Sequence, residues 1–209
     1  MLIGLLHPGE MGSAVGAALQ RNGHDVLWAS SGRSEETVLR ARAAGLRDVG
    51  SVDAVLVQAE IVISIVPPHA ASAVAAEAAG FAGVFVDANA ISPDNVRRLA
   101  PARLVDGGIV GPPPLEHGTT RVYLSGEGAE SVAALFAGST VDARVLAGGV
   151  GAASALKMTY AAWSKGTAAL VLAIRDVARA DCVEEALLAE WGESVPDLLE
   201  RLPRAEGAA

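Results

Sequence analysis

Aromatic residues are scarce, cysteine is nearly absent and no dense run of positive charge occurs; each shortage removes a class of protein. Only 4% of the 209 residues are aromatic although 51% are apolar. The interior must therefore be filled mainly by Ala, Val, Leu and Ile, which suits parallel strands alternating with alanine-rich helices and disfavours an all-β sandwich. The single cysteine, Cys182, can form no intrachain disulfide and no thiolate metal cluster, so a reducing compartment is the default. A formal net charge of −8, from 16 basic and 24 acidic residues, repels a nucleic-acid backbone, and nucleic acid is set aside as a partner. No apolar run approaches the ~20 residues that span a bilayer. Met1 to Leu6 has no basic leader, which is not the pattern of a signal peptide, and a cytoplasmic location is expected.

What is present is a repeating rhythm. Leu2 to Leu6 is a short apolar run ended by Pro8-Gly9, after which Met11, Val15, Ala18 and Leu19 recur at helical spacing up to Asn22-Gly23. Asp25 to Ala29 reads as a second strand, and Ser34 to Ala44 as a serine-capped helix closed by Gly45. A short helix follows Ser51. Strands are then expected at Glu60–Val66, Gly83–Asp87, Arg103–Val105, Arg121–Ser125 and Ala143–Leu146, with helices at His69–Ala79, Pro93–Leu99 and Ala129–Ala137. The alternation predicts an α/β fold: a Rossmann-type, doubly wound, mainly parallel sheet. From Gly151 the pattern changes to one long helix over residues 151 to 181, with Gly166 its weak point, and a second over Val183 to Leu202, interrupted by Gly192 and Pro196. The expected division is a dinucleotide-binding domain, residues 1–149, and a smaller helical module, residues 150–209, with frayed last residues.

The first strand leads into His7-Pro8-Gly9-Glu10-Met11-Gly12. In a dinucleotide fold this turn lets backbone approach the pyrophosphate at the amino end of the following helix. Gly9 and Gly12 fill two of the three glycine positions of G-x-G-x-x-G, for close phosphate approach and for helix-to-sheet packing; His7 stands in the first. After the second strand comes Ser30-Ser31-Gly32-Arg33, with hydroxyls and a cation but no carboxylate until Glu35. That chemistry fits a ribose 2′-phosphate, so NADP(H) is expected over NAD(H). A charge-assisted bond from Arg33 contributes roughly 1.5 to 3 kcal/mol, about ten- to a hundred-fold in affinity. Val66-Pro67-Pro68 and Asn89 lie where carboxyl ends of strands are expected, and are further candidate cofactor contacts.

These residues, with the runs Val86 to Pro93, Asp106 to Pro114 and Gly151 to Met158, give the chain a family likeness. It resembles the β-hydroxyacid dehydrogenase and 6-phosphogluconate dehydrogenase-like superfamily, specifically a bacterial oxidoreductase branch of it. The resemblance implies an N-terminal dinucleotide domain, a helical C-terminal domain that also makes a homodimer, and a lysine that handles the proton. The matching lysine is Lys157. It implies a substrate loop at Gly107 to Pro112, with Val110, Gly111 and Pro112 nearest the substrate. Ser154, Lys157, Tyr160 and Ser164 fall at offsets that put them on one helical stripe, making Tyr160 and Ser164 candidate substrate contacts. Two departures stand out: the superfamily usually carries asparagines where this chain has Tyr160 and Ala161, and Ser-Gly-Gly where it has Val110-Gly111-Pro112. Relatives in this branch also continue beyond the equivalent of Arg201, so a shortened helical domain is expected.

The functional expectation is an NADP(H)-dependent oxidoreductase acting on a small hydroxy acid, keto acid or related carbonyl or imine, with Lys157 as general acid and base. A non-catalytic dinucleotide-binding scaffold is the alternative. No metal is expected, since His7, His24, His69 and His117 show no ligand spacing.

Overall fold

The computed structural model describes residues 1–198. The chain opens with β1 (Leu2–Leu6), α1 (Glu10–Arg21), β2 (Asp25–Trp28), α2 (Glu35–Ala43), β3 (Arg47–Asp48), α3 (Val52–Gln58) and β4 (Ile61–Ser64). After a single 3-10 turn at Pro68–Ala70 come α4 (Ala71–Glu77), β5 (Val84–Asp87), α5 (Pro93–Val96), β6 (Leu104–Val110), β7 (Thr120–Ser125), α6 (Ala129–Ala134) and β8 (Val141–Val145). Two helices close the described chain: α7 (Ala152–Ala180) and α8 (Glu184–Ser194).

All eight strands join one sheet in the order β3-β2-β1-β4-β5-β6-β7-β8, parallel except for the β6–β7 pair. The fold is thus the expected doubly wound α/β sheet followed by helices. Strand order reverses between β1 and β4, and in such sheets ligands bind outside the carboxyl ends of the strands at that reversal. Both sheet faces are covered: Ile3, Leu5, Val26 and Ile63 face one apolar layer, while Leu6, Leu27, Val62 and Phe85 face the other. That double burial explains why the strands read as continuous apolar runs rather than alternating ones.

Several expectations change in detail. The strand expected at Arg103–Val105 runs on to Val110, so most of the supposed substrate loop Gly107 to Pro112 is β6, paired with β7 from Asp106↔Ser125 to Val110↔Arg121. Its two glycines suit a strand here because a Cβ on Gly107 would crowd Asp87 and Ala88 at the end of β5, and one on Gly108 would crowd α7 at Ala153. Gly192 does not interrupt α8, which ends at Ser194 with Val195 as its C-cap, before Pro196. Residues 199–202 of the expected second helix lie outside the described residues. Gly166 leaves α7 unbroken.

The chain forms two compact units, Met1–Met158 and Thr159–Ala209. The division lies inside α7 rather than at Gly148-Gly149, because the first turns of that helix are tied to the sheet. Within the second unit, Arg175 pairs with Glu184 at 2.8 Å and Arg179 with the same carboxylate at 2.7 Å, clamping α8 to the end of α7. No described helix is long and apolar enough to cross a membrane.

Candidate functional site

The turn between β1 and α1 has the shape a dinucleotide needs, although its first glycine is missing. His7 adopts φ +59°, the left-handed conformation that glycine takes most cheaply. Its carbonyl accepts the Gly9 N–H at 2.7 Å, tightening the turn. Helices α2, α3 and α5 each start at a serine whose hydroxyl accepts a backbone N–H of the first turn; α1 starts at Gly9 with no side-chain cap. A Cβ built on Gly9 meets no atom within 4 Å. The amino end of α1 therefore faces open space, and its exposed N–H groups and dipole favour an anion there.

The packing role expected of Gly12 falls to a different residue. A Cβ on Gly12 would make ordinary contacts, 3.7 Å from the His7 carbonyl and from Ile65. One on Gly16 would come within 2.8 Å of Leu46 and 2.9 Å of Leu5. The close crossing of α1 on the sheet is thus one turn further along the helix than the motif implied.

Beside this turn, the 30–33 loop follows β2. Arg33 is exposed, and its charge acts on the His7 ring: burial first, then the neighbouring guanidinium, lowers the His7 pKa to about 4. His7 is consequently neutral at pH 7. Ser31 is exposed, whereas the N–H of Ser30 donates to Asp48 on β3 at 3.2 Å.

The loop after β4 is held from behind. Asn89, buried, accepts the Val66 N–H on Oδ1 at 2.6 Å and donates through Nδ2 to Asp87 at 2.7 Å and to Ser64 Oγ at 3.1 Å. Both of its amide hydrogens are thereby engaged, so Asn89 fixes the backbone of Val66 and ties the ends of β4 and β5 together. Asp87 is fully buried, and that burial, opposed by the Asn89 bonds and aided by the charge of Asp106, pushes its pKa up to about 6.

The amino end of α7 is anchored by a buried carboxylate on β6. Asp106 Oδ2 accepts the Gly151 N–H at 2.8 Å and the Ser154 N–H at 2.9 Å, and Oδ1 accepts the Ser154 hydroxyl at 2.6 Å. Ser125 donates to Asp106 at 3.2 Å and accepts the Ala153 N–H at 3.0 Å. Two adjacent strands thus satisfy three first-turn N–H groups, and the negative charge complements the helix dipole. Gly108 permits the approach, since a Cβ there would lie 2.8 Å from the Ala153 carbonyl and 3.1 Å from Lys157 Cβ.

That anchoring brings Lys157, one turn on and half-buried, to a cavity of about 200 Å³. The cavity is lined also by Met11 of α1, Ile65, Val66 and Pro68 after β4, Ala88, Asn89 and Ala90 after β5, and Ile109 and Gly111 at the end of β6. Lys157 is the one titratable group among these lining residues. Met11, Val66, Pro68, Asn89, Gly111 and Lys157 are therefore brought together as expected candidates. Val110 is buried in the strand, and Pro112 lines a separate groove of about 540 Å³ beside Glu10, Ser13 and Arg40. Pro8 is buried and Pro67 exposed beside the cavity loop. Tyr160 and Ser164 belong to the second compact unit, where both are exposed and Ser164 donates to the Ala161 carbonyl at 3.3 Å. Ser154 also leaves the expected stripe, turned into the Asp106 network. No group of three or more His, Cys, Asp or Glu able to hold a metal exists among the described residues.

Asp106 and Asp48 are the residues that sequence reasoning passed over. Asp106 was visible only as one end of a matching run, since nothing local marks a strand aspartate as a helix anchor across 45 and 48 positions.

Sheet order and the β1–α1 turn together have the form of a Rossmann dinucleotide-binding domain. Residues 2–90 match the family model described as NADP oxidoreductase, coenzyme F420-dependent. Over its whole length the chain is similar to the conserved protein MTH1747, of unknown function, whose structure shows similarity to 3-hydroxyacid dehydrogenases: 28% identity and TM-score 0.82, covering 100% of this chain and 82% of that one. Two more distant structures share the fold. A Mycobacterium tuberculosis 3-hydroxyisobutyrate dehydrogenase with L-serine is 16% identical at TM-score 0.74, over 93% of this chain and 70% of its own. A reductive aminase from Aspergillus terreus in complex with NADPH and ethyl levulinate is 21% identical at TM-score 0.70, over 97% and 75%. No curated protein matches significantly. Residues 2–90 are thus similar to an NADP oxidoreductase domain, and the chain shares the fold of MTH1747 along its length.

Proposed function

We propose that the protein is an NADP(H)-dependent oxidoreductase that exchanges hydride with a small hydroxy acid, keto acid or related carbonyl or imine, using Lys157 as proton donor and acceptor. The observation that carries this reading is the placement of Lys157 in a cavity bounded by Met11 of α1, the Val66–Pro68 loop and Asn89. The dinucleotide supplies the hydride when bound. The chain's residues do the rest: the His7–Gly12 turn and the amino end of α1 receive the phosphates, and Arg33 with Ser31 takes the 2′-phosphate. The apolar lining excludes water, and the Lys157 ammonium hydrogen-bonds the substrate oxygen or nitrogen that gains a proton as hydride arrives at carbon. In the reverse direction the neutral amine takes that proton back. A cavity of about 200 Å³ suits only a small substrate beside the nicotinamide ring.

We also place a homodimer contact on the second unit. Tyr160, Trp163, Leu170, Ile174 and Val177 recur along α7 at spacings of three, seven, four and three, and all are exposed. Such a stripe is the seam along which helices associate.

Turnover is followed at the NADPH absorbance band against a panel of small keto acids, aldehydes and imines. Lys157→Ala keeps NADPH affinity within about twofold and loses at least a hundredfold in turnover, the range of general acid and base catalysis. Full turnover by that variant would remove Lys157 from the mechanism. Binding of NADPH with no saturable oxidation of it by any substrate favours the non-catalytic reading, which the Tyr160-Ala161 departure motivates.

A further inference from the structure

The sequence after β2 carries no carboxylate until Glu35, yet the fold supplies one from a different strand. β3 pairs with β2 so that Asp48 stands opposite Trp28, the last residue of β2. Its Oδ1 accepts the Ser30 N–H at 3.2 Å and the Gly50 N–H at 2.8 Å. The Ser31 N–H is bound to the Gly50 carbonyl at 2.9 Å and the Arg33 N–H to the Ser30 carbonyl at 3.0 Å. The 30–33 loop's course is therefore set from Asp48 outward, while Arg33 Nε donates to the Ser31 carbonyl at 3.5 Å and its charge acts on His7.

We propose that Asp48 is a cofactor-specificity residue: a fixed negative charge beside the adenosine ribose that opposes Arg33 and limits the preference for NADPH over NADH. Two consequences of the geometry support it. The Ser30 N–H is given to Asp48 at 3.2 Å, so that backbone donor is already engaged and is not offered to a phosphate. The carboxylate is exposed and stays ionised, since hydrogen bonds from Ser30 and Gly50 outweigh its partial burial and hold its pKa below the ordinary value. A 2′-phosphate in this loop meets the attraction of Arg33 and Ser31 together with repulsion from Asp48. NADH, which lacks that phosphate, meets neither.

This inference rests on the NADP(H) reading above, and its test separates the two. Asp48→Asn keeps a carbonyl oxygen for the Ser30 and Gly50 N–H groups while removing the charge. Dissociation constants for NADPH and NADH are measured by quenching of tryptophan fluorescence, with melting temperature as a check on folding. The expected result is NADPH binding tightened about three- to tenfold, the scale of one screened unit charge at several ångströms, and NADH unchanged within about twofold. Asp48→Ser, which retains a small acceptor, serves if the amide perturbs the loop. Parallel changes for both cofactors would make Asp48 a loop staple only and overturn the proposal. Weakening of NADH alone would do the same, assigning Asp48 to the ribose hydroxyl. Failure of the wild-type protein to bind either cofactor would sink the NADP(H) reading itself, and this inference with it.

Discussion

Gly9→Ala separates what the glycine turn does for the protein from what it does for a ligand. The native backbone at Gly9, φ −69° and ψ −167°, is extended and open to any L-residue, and an added Cβ finds nothing within 4 Å. The folded state therefore loses nothing. The unfolded chain loses freedom, so stability should stay level or rise by about 0.4 to 1 kcal/mol. The methyl nevertheless projects into the space where backbone approaches the pyrophosphate. Forcing a methyl into a fitted contact costs typically 1 to 3 kcal/mol, roughly a five- to hundred-and-fifty-fold loss in affinity. Calorimetric titration with NADPH and NADH, beside thermal melts of the same preparations, measures both effects. Gly9→Ala that melts like wild type and binds both cofactors equally weakly is the expected outcome. Undiminished binding of either would show that the dinucleotide does not lie against Gly9, and the site would have to be drawn elsewhere.

Gly108→Ala is the counterpart at the other end of the site. Its Cβ would press on the Ala153 carbonyl, which cannot rotate away, so about 1 to 3 kcal/mol of stability should be lost. Turnover should fall with NADPH affinity kept, because α7 carrying Lys157 is lifted; unchanged melting and unchanged turnover would contradict the packing described. A second prediction concerns pH. His7, with its pKa lowered from 6.5 to about 4, binds fewer protons folded than unfolded across that window, so its contribution to stability rises with pH and is lost on acidification. Asp87, raised from 3.8 to about 6, behaves oppositely: its contribution is full below pH 3.8 and is lost as pH rises through 6. The two slopes offset, each bounded by about 1.4 kcal/mol per pH unit. His7→Asn, with a side chain that tolerates the left-handed turn, should leave the Asp87 slope exposed and melt at lower temperature at pH 6 than at pH 4.5. A melting temperature that instead climbs over that interval would reject the Asp87 assignment.

The α/β rhythm was legible because apolar runs and serine caps are local signals, and Ser34, Ser51 and Ser92 do cap α2, α3 and α5. What stayed illegible has a common cause. β3 is two residues long, with both side chains exposed, so it has no hydrophobic pattern to read. The strand expected to end at Val105 stops short of Gly107-Gly108, because a glycine pair weakens strand propensity. In the folded protein Gly108 is where α7 crosses the strand, and Gly107 lies against Asp87 and Ala88.

Composition and order along the chain alone determined that it winds as a doubly wound sheet, with a phosphate-sized turn after its first strand, since both depend on neighbours a few residues apart. Tertiary structure alone decided which side chains meet. Asp106 reaches α7 across more than forty positions, Asp48 faces Ser30 from the next strand, and Asn89 is bound up with Val66 and Asp87. Hydrogen bonds between distant segments leave no periodic trace, because their geometry exists only once the strands have taken their register.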